Sequence, residues 1–307
     1  MHRIRETGKA DVQLGSHVHN FTEREDGIDV RIQSANGEEW TIRAEYLIGA
    51  DGARSTVRRA AGCSFDGVTL PNQLVATDII YDFHAHGFWD ANFIIDSEDY
   101  GLIGRITESG LWRVSYGVSN ALSEEEVRKG ADEKIRAMLP DGGRSGFEVK
   151  RVASYKANQL CVDKFWRGRV GLCGDAAHCK CFPNYSTYQK PPSNEVQVTN
   201  PYAGLGLASG IVDASSLADV LIRVLMGKSP DPLLLLDSWS DARRQSFLTA
   251  VDQPSRMAYA RVTHDTSTKQ KLDELLMKEP TLSALKKGLP VIRPSIETEV
   301  ENLNGWA

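Results

Sequence analysis

At 307 residues, 41% hydrophobic and 25% charged, the chain has the composition of a globular protein and can hold one large domain or two moderate ones. A formal net charge of −5 gives no general attraction for nucleic acid or an anionic membrane. No apolar run reaches the roughly 18–20 residues of a membrane span, the N-terminus lacks the apolar core of a secretory signal, and five irregularly spaced cysteines suggest no disulfide framework; a reducing, cytoplasmic setting is expected.

Residues 11–49 read as a β-meander, with strands over 12–18, 27–33, 39–44 and 46–48. Glu25-Asp26-Gly27 and Asn36-Gly37 supply the turns. Val30 and Ile32 alternate with Asp29 and Arg31, which predicts one wet face. The stretch 46–58 is a buried strand, a turn at Asp51-Gly52 and a helix start capped by Ser55. Strand signals return at 74–83, 93–95, 100–106 and 111–118, punctuated by Phe88, Trp89 and Trp112, and predict a second, antiparallel sheet. Ser123 with Glu126 forms a capping box that opens a helix over 123–138, ended by Pro140-Asp141-Gly142-Gly143. A strand follows over 147–156, then a short buried one over 169–173. Long helices are expected over 203–227 and 232–263, the second opened by Asp231-Pro232. The tail from Thr266 is polar and helical in composition. These signals divide the chain into 1–70, 71–157, 158–265 and a helical tail over 266–307, and place it in the α/β (α+β) class.

Two motifs carry chemistry. In the first, Asp51-Gly52-x-x-Ser55-x-x-Arg58, Gly52 permits a tight turn, Asp51 can accept a hydrogen bond at a strand end, and Arg54 and Arg58 can meet a phosphate. A capped helix with surface arginines explains the same residues. The second joins Gly174-Asp175-Ala176-Ala177-His178 to Pro201-x-x-Gly204-x-Gly206. A carboxylate at a strand end, two small residues and a Gly-rich helix start suit a polyhydroxylated, partly anionic ligand. Packing glycines at a strand–helix junction are the plainer alternative.

In this order the two motifs resemble the second and third fingerprints of the class A FAD-dependent aromatic hydroxylases, the para-hydroxybenzoate hydroxylase type. The wording LIGADGARSTVRRAAG and GRVGLCGDAAH…NPYAGLGLASGIVDASSLADVL is similar to fungal members, and the resemblance covers roughly residues 11–262. It implies a Rossmann-like FAD/NAD(P)-binding domain in two parts, 1–70 and 158–265. Between them lies an inserted substrate domain, 71–157, whose sheet roofs the pocket. It also implies that Asp175 binds the ribityl chain of FAD, with Gly174 and Ala176 beside it. The backbone of Gly204, Leu205 and Gly206 would face the flavin ring, and Pro201 would sit near its oxygen-reactive edge. Asp51, Gly52 and Arg58 would support FAD and a transient nicotinamide. The implied activity is an NAD(P)H- and O2-consuming monooxygenase that hydroxylates a phenolic or other electron-rich small molecule in secondary metabolism. A related flavin epoxidase or dehydrogenase, or a catalytically impaired truncated remnant, are the alternatives. No individual catalytic residue, oligomeric state or nucleic-acid partner is assigned.

The sequence departs from the family pattern twice. Family members carry a G-x-G-x-x-G turn for the ADP half of FAD about 100 residues before the meander. None occurs upstream of Asp51, so an N-terminally truncated chain that binds FAD weakly or not at all is expected. Residues 179–197 also split the third fingerprint with a long polar insertion. Cys179-Lys180-Cys181 can be encoded TGT AAG TGC, which contains the intron-donor string GTAAGT, and in-frame removal restores the family wording. The insertion is therefore read as a retained intron, outside fold reasoning.

Lesser signals have bland readings. His178-Cys179-x-Cys181 falls one ligand short of a closed zinc site, so no metal is expected. His84-x-His86 reads as solvated loop histidines. Trp112, Tyr116 and Tyr155 read as sheet core before they read as pocket walls.

Overall fold

The protein is seen here in a computed structural model that describes residues 6–179, 203–278, 287–288 and 294–307. Strands β1 (Ser16–Arg24), β2 (Gly27–Ser34) and β3 (Glu39–Ala44) form the expected antiparallel meander. The tight turn at Glu25-Asp26 pairs Arg24 with Gly27 and fixes the register. That places β1 over 16–24 rather than 12–18. Its His17, His19, Asn20 and Thr22 carry no apolar alternation, and its register shifts between Val18 and Asn20. Ile28 and Val30 of β2 are buried while Arg31 is exposed, so the alternation predicted for this strand is present.

The expected fourth meander strand belongs elsewhere. β4 (Leu47–Gly49) pairs in parallel with β11 (Val170–Leu172), and β10 (Trp166–Arg167) completes that sheet on the far side of β11. Leu47, Ile48 and Gly49 lie opposite Val170, Gly171 and Leu172, so both strands end at the same level. Close packing demands small residues here: a Cβ on Gly49 would come within 2.8 Å of the Leu172 side chain and 2.9 Å of Val57.

The largest sheet has the order β12-β9-β5-β8-β7-β6 and is antiparallel throughout. It combines β5 (Phe65–Ile80), β6 (Ala91–Ile94), β7 (Gly101–Arg105), β8 (Leu111–Ser119) and β9 (Glu148–Val162) with the short β12 (His178–Cys179). β9 is longer than the sequence predicts and lies beside β5 over nearly its whole length. One face packs on α2 (Glu124–Met138), whose capping box at Ser123 and Glu126 is present. Its buried residues Val127, Ala131, Ile135 and Met138 follow the helical repeat and close over Trp112, Val114 and Tyr116.

The opposite face carries Leu74 and Tyr100, which pack with Ala258 and Val262. Helices α3 (Gly206–Leu225), α4 (Pro232–Ser246), α5 (Gln253–Val262) and α6 (Lys269–Lys278) follow the sheets. The predicted 232–263 helix is interrupted by a π-helical stretch, Phe247–Asp252. Asp231 caps α4 by accepting the N–H of Leu234 at 3.0 Å. α4 is tied to the β10-β11-β4 sheet by Ser240, whose hydroxyl accepts the N–H groups of Phe165 and Trp166. The C-terminal segment docks on α3: Arg223 lies over the Trp306 ring, and the Ser229 hydroxyl donates to the Gly305 carbonyl at 2.6 Å. Among the described residues no helix is long and apolar enough to cross a membrane.

Candidate functional site

Because β4 and β11 run parallel and end level, the two sequence motifs meet at the carboxyl edge of one sheet. Open α/β sheets bind ligands at that edge. The first motif is organised by its own helix. Asp51 accepts the N–H groups of Thr56 at 2.7 Å and Val57 at 3.2 Å and the hydroxyl of Ser55, so it caps α1 (Thr56–Ala60) together with Ser55. Gly52 makes the turn at φ +77°.

Arg58 is 5% exposed, and its guanidinium is not on the surface. It donates to the carbonyl of Ala53 at 2.7 Å and to that of Ala176 at 2.9 Å, and lies 3.9 Å over the Phe65 ring. Ala176 belongs to the second motif. Arg58 therefore bolts the two motifs together, a role its spacing did not reveal.

The second motif turns sharply after β11. Gly174 sits at φ +58°, a conformation that favours glycine. The short turn Gly174–Ala176 packs on the first turns of α3, where Gly210 lies opposite Gly174; a Cβ on Gly210 would stand 3.1 Å from the Gly174 Cα. Asp175 is half-buried, and among the described residues its carboxylate accepts no hydrogen bond. Burial raises its pKa, against a smaller lowering by the nearby His178. Ala176 and Ala177 are fully buried.

Ala203, Gly204 and Leu205 lead into α3. Gly204 is exposed at φ +67°, and nothing within 4 Å would meet a Cβ there. Leu205 occupies the N-cap of α3 and makes no side-chain cap, so the first N–H groups of a 20-residue helix lack the usual side-chain acceptor. Ser209, one turn in, has a fully buried hydroxyl with no partner among the described residues. An unpaired, half-buried carboxylate beside an uncapped helix start is what a ligand with hydroxyls and negative charge needs. The chemistry of these residues is compatible with a polyhydroxylated, partly anionic cofactor. Pro201 and residues 180–197 of the insertion lie outside the described residues.

The Gly-rich turn also touches the large sheet. Ala203, Tyr155 and Tyr259 each pack against the cluster formed by Leu70, Leu74, Tyr100, Ala258 and Val262. Burial pushes the Tyr155 hydroxyl up to about 12. Trp112 and Tyr116 lie on the other face, under α2, as core. Of the three aromatics weighed as pocket walls, the structure brings only Tyr155 to this side.

The sequence reading missed the buried group behind the turn. Asp213 of α3 accepts the Gly174 N–H at 2.9 Å, and His178 and Arg243 flank it. Its signal is a carboxylate on the apolar stripe of α3, among Ser209, Ser216, Leu217 and Val220. His178 donates to Asp213 through Nε2, and among the described residues no cluster of three or more His, Cys, Asp or Glu could hold a metal ion. Cys161 and Cys173 are buried thiols pushed up to about 12, so neither is a ready nucleophile. His84 is held by Asp90 at 2.9 Å and His86 stacks on Tyr81, both on the exterior.

A family profile described as FAD binding domain matches residues 1–183. The chain belongs to this FAD-binding family. It is 33% identical over 277 residues to the para-nitrophenol 4-monooxygenase of a Pseudomonas species, covering 90% of this chain and 63% of that protein. It is 34% identical over 212 residues to the 6-hydroxy-3-succinoylpyridine 3-monooxygenase HspB of Pseudomonas putida, covering 68% of this chain and 48% of that one. The chain thus spans less than two thirds of the length of these relatives. The crystal structure of p-nitrophenol 4-monooxygenase PnpA from Pseudomonas putida DLL-E4 superposes with a TM-score of 0.77 at 31% identity, over 93% of this chain and 67% of that one.

Proposed function

We propose that this chain is the ring-holding part of a FAD-dependent monooxygenase that hydroxylates a phenolic or other electron-rich small molecule. NAD(P)H and O2 are the cosubstrates, the setting is the cytoplasm, and the product serves secondary metabolism. The observation that carries the reading is the parallel register of β4 with β11, which sets Asp51-Gly52 and Gly174-Asp175 at one edge beside the uncapped start of α3.

FAD, when bound, supplies the hydride acceptance and oxygen activation that no amino-acid side chain offers. The chain's own residues do the rest. Asp175 accepts hydrogen bonds from ribityl hydroxyls, and its half-buried position strengthens them relative to water. Gly204 and Gly206 leave the backbone bare, and the N–H groups that open α3 stabilise negative charge on the ring side. Asp51 and Arg58 hold the neighbouring turn in place for the cofactor and a transient nicotinamide. The sheet face with Leu74, Tyr100 and Tyr155, closed by Tyr259 and Ala203, bounds an aromatic substrate and keeps water away. The names of the para-nitrophenol and hydroxypyridine relatives support a hydroxylated aromatic ring as the substrate.

The test is an assay of the purified chain with FAD, NADH or NADPH, and a panel of phenols under isotopically labelled dioxygen. Substrate-stimulated oxidation of the nicotinamide and one labelled oxygen in the product are expected. Nicotinamide oxidation indifferent to every phenol, with no label in any product, contradicts the proposal.

A further inference from the structure

Asp213, His178 and Arg243 are all fully buried, and together they use every oxygen of one carboxylate. Asp213 Oδ2 accepts from His178 Nε2 at 2.6 Å and from the Gly174 N–H at 2.9 Å. Asp213 Oδ1 accepts from Arg243 Nε at 2.9 Å and Nη2 at 2.6 Å. The remaining guanidinium nitrogen, Nη1, donates to the Ile296 carbonyl at 2.7 Å and the Thr298 hydroxyl at 2.9 Å. The His178 ring stacks on Phe247 at 4.5 Å, inside the π-helical stretch, and its buried Nδ1 has no partner among the described residues.

Such a cluster is a poor device for stability alone, because well-packed apolar residues of the same volume do as well or better. What it achieves is connection. Its inner end holds the amide of Gly174, the residue whose φ of +58° sets the direction in which Asp175 leaves the sheet. Its outer end holds residues 296 and 298 of the C-terminal segment. Its observed link to the cofactor turn is the Gly174 N–H, so its members act through that turn.

We propose that Asp213 is the positioning residue of the cofactor turn, that His178 and Arg243 fix its carboxylate, and that residues 294–299 are the outer latch of the same device. The proposal rests on the FAD reading above for its consequence, since the residue it positions is Asp175.

His178 is the place to test it, because the side chain can be exchanged with its donor kept or removed. In His178→Gln the amide nitrogen replaces Nε2 as donor to Asp213; in His178→Leu the donor is gone at similar volume. Flavin affinity, read by quenching of FAD fluorescence, is expected to fall about tenfold in His178→Leu, the factor for one charge-assisted hydrogen bond. It is expected to recover to within about twofold in His178→Gln, where the donor is restored. Amide exchange at Gly174 is expected to accelerate in His178→Leu alone, with both variants still melting cooperatively. Thr298→Val, which removes one outer acceptor of Arg243, is expected to accelerate Gly174 exchange in the same direction.

Equal loss in the Leu and Gln variants, or unchanged Gly174 exchange in a folded Leu variant, overturns the positioning role. Unchanged exchange in Thr298→Val overturns the latch. If the unmodified chain quenches no FAD fluorescence, the cofactor reading fails, and Gly174 exchange still decides whether the device holds the turn.

Discussion

The guanidinium of Arg58 satisfies two carbonyls, at Ala53 and Ala176, that belong to different motifs. Ala176 is fully buried, so cutting the guanidinium away leaves an acceptor there without its partner, at about 1–3 kcal/mol. The contact with the Phe65 ring adds to the loss. Arg58→Met is expected to lower stability by about 2–3 kcal/mol, and Arg58→Lys to recover little, since an ammonium cannot reach two carbonyls in the planar fork of a guanidinium. Urea unfolding of the two variants checks this; a midpoint unchanged in Arg58→Met would remove Arg58 from the account. The sequence showed Arg58 at the right spacing from Asp51 but not its direction. Spacing is local, and the partner that claims the side chain, Ala176, comes from a strand paired across the fold. The placement of Asp175 was more legible: an apolar strand ending in Gly-Asp put it at the strand's carboxyl end, where the turn Gly174–Ala176 follows β11.

At the scale of elements, the close approach of Gly174 and Gly210 lets the turn after β11 rest on the first turns of α3. Gly210→Val forces the two apart, and overpacking of this kind costs about 1–3 kcal/mol. The expected outcome is a lowered melting temperature with a proportionally larger loss of flavin affinity, because the displaced element carries Asp175. A variant that melts lower but binds flavin as before would show that the turn and the helix start are not one unit.

Most elements could be read in advance. The capping box of α2, the Asp231 cap of α4, and four strands of the large sheet, β6 to β9, announced themselves through local chemistry, whereas β5 starts nine residues before the predicted 74 and β12 was not predicted. β1 did not, because its polar side chains gave no period and only the turn that follows fixes where it pairs. The π-helical stretch at Phe247–Asp252 was invisible as well, since one widened turn leaves the apolar spacing on either side intact. The tail beyond Thr266 offered no chemistry to read, yet Val300 and Trp306 join the main core.

Across the whole molecule, the buried Asp213 and the half-buried Asp175 pull the pH dependence in opposite directions. Burial alone would raise the Asp213 pKa, but His178, Arg243 and the Gly174 N–H outweigh it, and the carboxyl is held below the usual aspartate value. A depressed folded pKa contributes stability above the unfolded value, near about 3.9, and that stability is lost as pH falls through the folded value. The urea midpoint is therefore expected to hold from neutral pH down to about 5 and to fall below about pH 4. A midpoint that stays level at pH 3 would contradict the charged assignment of Asp213. Asp175 works the other way: its pKa is raised by burial, so its ionisation costs stability as pH rises above the unfolded value. A ligand that donates hydroxyl groups to it offsets that cost, which ties cofactor binding to the charge left open at the edge of the sheet.

The central claim is that stretches far apart in sequence, 46–58, 168–178 and 203–213, build one flavin cradle around Asp175. A titration of the chain with FAD, followed by flavin fluorescence and absorbance and repeated on Asp175→Ala, tests it most directly. The account predicts weak but saturable binding to the unmodified chain, with a shifted flavin absorbance band, and its loss in Asp175→Ala while the variant stays folded. No saturable binding at all, or equal binding by both proteins, would contradict it.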